Sequence, residues 1–122
     1  MSYENQVITE GFIGRELFDH KNNKFNAECV EVLTADLRSD DNAHHAYDIL
    51  VFNLPVEPDS QRQIVKQVRL EFQNGSLTEV GANGITDQAL LAIVLDRMRS
   101  FNDGKFRSRE NSIIITNFIF YF

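Results

Sequence analysis

Five cations gather near the end of this chain. Arg97, Arg99, Lys105, Arg107 and Arg109 occur with Asp103 among them and Glu110 after them, a local charge of +3 on a protein of net charge -6, so the remainder carries -9. A confined basic cluster on an acidic protein suits a compact anion and disfavours a DNA or RNA polymer, whose binding rests on many phosphate contacts. Phosphate chemistry is the natural reading. Arginine's planar fork binds phosphate through two parallel hydrogen bonds, and free N–H groups at a helix start add the positive end of the helix dipole. Gly81-Ala82-Asn83-Gly84-Ile85-Thr86 forms such an entry to one helix, with glycines that permit positive φ and close backbone approach. Arg107 and Arg109 stand at the start of a second, where positive side chains oppose the dipole unless an anion lies between them. Phe101 and Phe106 flank this loop and could stack on a base. On composition alone, solvated arginines and core phenylalanines fit these positions equally well.

Other chemistry is sparse. There is no phosphate-binding loop of the nucleotidase type, no dinucleotide-binding glycine pattern, no nucleophile elbow and no metal-binding His/Cys cluster. His44-His45 with Asp48 comes nearest to a metal or acid–base site, but adjacent histidines point in different directions, and a solvated loop pair is the expectation. His20, among Asp19, Lys21 and Asn22, reads as a surface residue. Cys29 is the single cysteine and reads as a small buried apolar side chain, with no internal disulfide. No metal, no cofactor and no catalytic residue is expected.

The elements that must position these residues follow from periodicity. Val7 to Ile13 is a weak strand candidate broken by Gly11 and Gly14, and Asp19 to Asn26 a polar turn. Glu28 to Asp36 and Tyr47 to Leu54 read as strands, the second ended by Pro55. Ile64 to Phe72 is the clearest strand, with Ile64, Val68, Leu70 and Phe72 on one face and Gln67, Arg69 and Glu71 on the other. Asn74-Gly75 is a tight-turn signal after which Leu77 to Val80 returns as a short strand, completing an antiparallel meander. The period then changes. Thr86 caps a helix to about Phe101 whose stripe is Leu90, Leu91, Val94, Leu95 and Met98, and Asn102-Asp103-Gly104 stops it. Ser108 or Asn111 caps a second helix to the C-terminus, although Ile113-Ile114-Ile115 and Phe118 to Phe122 suit a strand equally well. The expected fold is α+β in a single domain, an N-terminal antiparallel β-meander over residues 1–80 and a C-terminal helical hairpin over 81–122 for ligand binding and oligomerisation.

The 122 residues allow one domain, and 43% hydrophobic with 25% charged residues is a globular composition. No apolar run approaches the ~20 residues of a membrane span, and Met1 to Glu10 lacks the pattern of a signal peptide, so a protein of a reducing cytosol is expected. One subunit of this size would struggle to bury Ile113 to Phe122, which points to a homo-oligomer with this segment at an interface, the alternative being a central core element of a monomer.

The ordered series Phe72-Gln73-Asn74-Gly75, Glu79-Val80-Gly81, Asn83-Gly84-Ile85-Thr86, Ala89 to Arg97, Phe101, Gly104, Phe106 and Arg109-Glu110-Asn111 resembles the C-terminal module of phage Thoeris anti-defence sponges, related to anti-CBASS cyclic-nucleotide sponges. The resemblance covers roughly residues 68 to 117. It implies a non-enzymatic, oligomeric protein that sequesters a nucleotide immune signal between subunits. In Thoeris that signal is a cyclic ADP-ribose isomer made by a TIR enzyme, and some sponges also hold cyclic di- or trinucleotides. The resemblance puts Arg109 on phosphate, with Asn83 and Arg107 as neighbours, and has Glu110 and Asn111 orient the arginine or meet ribose hydroxyls, while Gly84 is a ligand-binding candidate from the loop that enters the first helix. The chain departs from the family at Thr116 to Phe122, where a charged, Leu-rich stretch is usual. An enzyme that degrades such a signal, and a phage structural or regulatory assembly protein, are the competing classes.

Overall fold

Strands that alternate apolar and polar residues bury one face when they pair into a sheet. In the computed structural model, which describes residues 7–9, 12–54, 60–105 and 107–121, two compact units appear, Met1–Asn83 and Gly84–Phe122. The first opens with a hairpin of β1 (Val7–Thr9) and β2 (Phe12–Gly14). A four-stranded antiparallel sheet follows in sequence order, β3 (Glu16–Leu17), β4 (Val30–Thr34), β5 (Ala46–Asn53) and β6 (Gln63–Glu71). Consecutive order makes this the expected meander, and the α+β class holds.

Register shows what each face does. Leu17, Val32, Ile49 and Val68 form one cross-strand row, with Val30–Val51 and Tyr47–Leu70 beside it. The opposite face carries Asp48 against Arg69, whose guanidinium donates to both carboxylate oxygens at 2.5 and 2.9 Å. Near its start β6 holds one extra residue. Lys66 pairs with Val51 and Ile64 with Phe52, so Val65 has no partner of its own and Ile64 falls out of phase with Val68 and Leu70. The single face expected for Ile64, Val68, Leu70 and Phe72 is therefore corrected at Ile64.

Two segments differ from the sequence reading. Lys24–Cys29 is a short helix, α1, because the Asn23 side chain accepts from the Asn26 N–H and caps it. It packs on β4 and β5 and buries Cys29, as expected of that thiol. Leu77–Val80 is also a helix, α2, and not a returning strand. Ser76 caps it by accepting from Glu79 N–H, and Gly81 ends it at φ +73°. The Asn74-Gly75 turn signal is real, since Gly75 has φ +94° and a Cβ there would lie 2.9 Å from Val80 Cγ2. It feeds a helical turn, however, and local caps outweigh the β-propensity of four residues.

The second unit is a helical hairpin of α3 (Asp87–Asn102) and α4 (Arg109–Tyr121). Thr86 caps α3 by accepting from Ala89 N–H. Leu95 is buried, and Leu90, Leu91, Val94 and Met98 are half-buried, which is the stripe the sequence marks. Ile113 to Ile115 are helical, and the 3.6-residue period set by the Ser108 cap prevails over their strand propensity.

Candidate functional site

The turn between α3 and α4 is held by polar side chains. Asn102 accepts from Ser108 N–H with its Oδ1 and donates through Nδ2 to Ser112 Oγ, at 3.1 Å in both cases. Ser108 Oγ then accepts from Asn111 N–H at 3.0 Å, an N-cap that makes Arg109 the first residue of α4. Gly104 takes no positive φ. Asp103 ends α3 in a right-handed turn at φ -83°, so the stop does not use glycine's freedom.

Arg109 lines a groove of about 240 Å³ on α4, with Ser112, Ile113, Thr116 and Asn117. Among the described residues its guanidinium has neither an ion pair nor a hydrogen bond. Other cations are engaged. Lys21 pairs with Glu16, Arg62 with Glu31 and Arg69 with Asp48, and Arg97 lies 5.3 Å from the centre of the Phe101 ring. Arg107 and Arg99 also lack a partner among the described residues, and neither lines either of the two cavities described. A cation without a counter-charge in a concave, partly apolar surface is what an anion site requires.

The remaining predicted residues are placed as follows. Glu110 stands in the first turn of α4, where its carboxylate complements the helix dipole. Asn111 contributes its N–H to the Ser108 cap. Phe101 is 44% exposed, with Arg97 over its ring. Gly84 opens the second unit without positive φ, and the left-handed backbone in this loop belongs to Gly81. Phe106 lies outside the described residues. Asn83 belongs to the first unit, and its amide is already committed. Oδ1 accepts from Asn74 N–H at 2.8 Å, Nδ2 donates to Asn74 O at 2.7 Å, and the Asn83 N–H donates to Gln73 Oε1 at 2.9 Å. With Gln73 Nε2 donating to Gly81 O and Gly75 O, this closes residues 73–83 into one clasped loop around α2.

A second cavity, also about 240 Å³, lies within the first unit and is lined by Asp36, His45, Ala46, Glu71, Phe72, Asn74 and Asn83. Its charge is opposite. Two carboxylates and no arginine face it, so a phosphate would be repelled there. Beside it the histidines depart from the solvated pair expected. The side chains of His44 and His45 are only 12% and 14% exposed. His44 Nδ1 lies 2.8 Å from Asp36 O, and His45 Nε2 lies 3.0 Å from Asp41 Oδ2 and 2.9 Å from Ser39 Oγ. The loop is rich in side-chain acceptors, and folding it back on itself satisfies both rings. His20 is likewise engaged, 2.8 Å from Val30 O, and half-buried. Serine and aspartate meet the same nitrogen of His45, so the imidazole cannot pass a proton from one to the other as a hydrolytic triad does. Ser39 Oγ, then the Ala43 N–H, hold the Asp41 carboxyl below its usual range. Among the described residues no three His, Cys, Asp or Glu side chains come together to hold a metal.

The sequence reading missed Ser112, Thr116 and Asn117. Its available signal was spacing, since residues 109, 112, 113 and 116 share one face of a helix.

A site built on a polar-stapled helical hairpin is the class this region belongs to. Residues 65–118 match the Acb2/Tad1 hairpin domain, and the resemblance to the Thoeris anti-defence sponge family holds over this segment. A curated relative, Thoeris anti-defense 1 of Bacillus phage SBSphiJ7, is 41% identical over 51 residues, which are 42% of this chain and 36% of the relative. The match therefore spans about a third of that relative's length.

Proposed function

We propose that this chain is a phage anti-defence protein that binds and sequesters a nucleotide immune signal without altering it. The signal is a cyclic ADP-ribose isomer, with cyclic oligonucleotides as further ligands, and the protein acts in the host cytosol as a homo-oligomer. One observation carries the reading. Of the two cavities described, the one on the matched hairpin holds an arginine that has no ion pair among the described residues, while the other is acidic. Arg109 takes the phosphate, with Arg107 as the neighbouring cation. Glu110 and Asn111 flank it, Phe101 and Phe106 offer stacking surface, and Asn83 and Gly84 shape the entry to α3. Assembly is supported by how little one copy buries. Among the described residues only Cys29, Leu33 and Leu95 are buried apolar side chains, while Ile93, Ile113 and Ile114 are 61%, 48% and 38% exposed.

Ligand released by heat from protein purified out of infected cells tests the function directly. A sponge returns the signal chemically unchanged, and recovery of cleaved product identifies an enzyme instead. Titration with cyclic ADP-ribose isomers tests the site. Removing one partner of a desolvated charge pair costs roughly 2–5 kcal/mol, so Arg109→Ala should lower affinity by about thirty-fold to several thousand-fold. Unchanged affinity in a correctly assembled variant would remove Arg109 from the site.

A further inference from the structure

The α4 groove holds more recognition chemistry than its arginine. Ser112 Oγ donates to Ser108 O at 3.2 Å and accepts from Asn102 Nδ2, so both its proton and one lone pair are used. Thr116 differs. Its Oγ1 donates to Ser112 O at 2.9 Å, which fixes the rotamer and leaves the oxygen lone pairs facing outward. Among the described residues nothing donates to that oxygen. Asn117 beside it makes no side-chain hydrogen bond among the described residues. The groove thus offers a cation at one end and, two helical turns away, a fixed acceptor next to a free amide.

We infer that Thr116, assisted by Asn117, is a specificity-determining residue of this groove, accepting a hydrogen bond from a donor on the ligand whose phosphate Arg109 holds. The inference rests on the function proposed above. Because its own proton is committed to the helix, Thr116 presents itself as an acceptor, and the complementary ligand group is a donor, either a sugar hydroxyl or a base amino group. Seven positions along a helix separate Arg109 from Thr116 by about 10.5 Å between backbones. Inorganic phosphate is too small to reach both ends, whereas a nucleoside carrying a pyrophosphate spans them.

The test is a set of titrations with three probes, namely inorganic pyrophosphate, a cyclic ADP-ribose isomer, and the same isomer with hypoxanthine in place of adenine. Thr116→Val keeps the shape and removes the acceptor, and Thr116→Ser restores it. Thr116→Val should weaken the cyclic ADP-ribose isomer about five- to tenfold, the usual worth of one hydrogen bond, and leave pyrophosphate unchanged. Thr116→Ser should recover most of the loss. If the hypoxanthine probe is already weak on the native protein and insensitive to Thr116→Val, the donor is the base amine. If it behaves as the adenine form does, the donor is a sugar hydroxyl. Loss of binding in Arg109→Ala together with unchanged binding in Thr116→Val overturns this inference alone. Indifference of every probe to Arg109→Ala overturns the functional reading beneath it.

Discussion

Arg109 and Arg97 have the same side chain and opposite circumstances. Arg97 rests over Phe101, while Arg109 faces a groove without a counter-charge. Arg97→Ala should therefore change ligand affinity far less than Arg109→Ala. Arg109→Lys should restore only part of the binding, because an ammonium cannot reproduce the two-pronged contact. A calorimetric ranking that placed Arg97→Ala beside Arg109→Ala would mean that the cluster acts as a diffuse field. Asp41 supplies a separate check on the loop at residues 39–45. Ser39 and the Ala43 N–H stabilise its ionised form, so its folded pKa lies below the ordinary 3.8. A depressed carboxyl strengthens the fold above its ordinary pKa, and that contribution is lost as pH falls through the depressed value. The Ala43 amide, 2.9 Å from Asp41 Oδ1, should report a titration midpoint below 3.8 by NMR, and a midpoint at or above it would contradict the loop geometry.

Among the elements, the clasped loop at residues 73–83 makes the sharpest claims. Asn83→Ala removes both side-chain bonds to Asn74, which lie at the surface where water can replace them, so a loss of about 1–2 kcal/mol in urea unfolding is expected. Asn83→Asp keeps the acceptor but turns a carboxylate oxygen toward Asn74 O, so it should cost at least as much. Gly81→Ala tests the backbone. No atom lies within 4 Å of the added methyl, so any cost comes from φ +73° with ψ -171°, a conformation nearly reserved for glycine and worth about 1–3 kcal/mol. In the hairpin, Leu95→Ala should cost about 2–4 kcal/mol, because it empties the one buried apolar position described there. Equal stability of that variant would show that α3 and α4 are held by their polar turn rather than by the Leu95 contact.

For the molecule as a whole, the decisive quantity is buried apolar surface. Among the described residues no large side chain is fully buried, and exposed isoleucines occur on both helices of the hairpin. Association of copies would remove that surface from water, and the melting temperature would then rise with protein concentration. Sedimentation should find a stable oligomer at micromolar concentration, unaffected by Arg109→Ala or Thr116→Val. A monomer with a concentration-independent melting temperature would defeat the proposed assembly. Among the described residues no helix is long and apolar enough to cross a membrane.

Local chemistry made much of this protein legible from its residues alone. The β4–β6 meander follows from alternation and the α3 boundaries from Thr86 and the Asn102-Asp103 break, while the positive charge of the proposed site is that of the clustered arginines. Each depends on neighbours in sequence, where period and capping act over a few positions. Distance and occupancy required the folded chain. Leu77–Val80 has strand-like composition and becomes a helix because Ser76 caps it and Gln73 and Asn83 close the loop across it. Asn83 reads as a candidate ligand neighbour in the sequence, and the folded chain shows its amide bonded to Asn74. Arg109 is one of five clustered cations by composition and is singled out in the sequence by the family resemblance alone, while the folded chain places it on the α4 groove. The physical reason is that a side chain's type states which bonds it can make, while tertiary structure decides which of them are already made and which remain for a ligand.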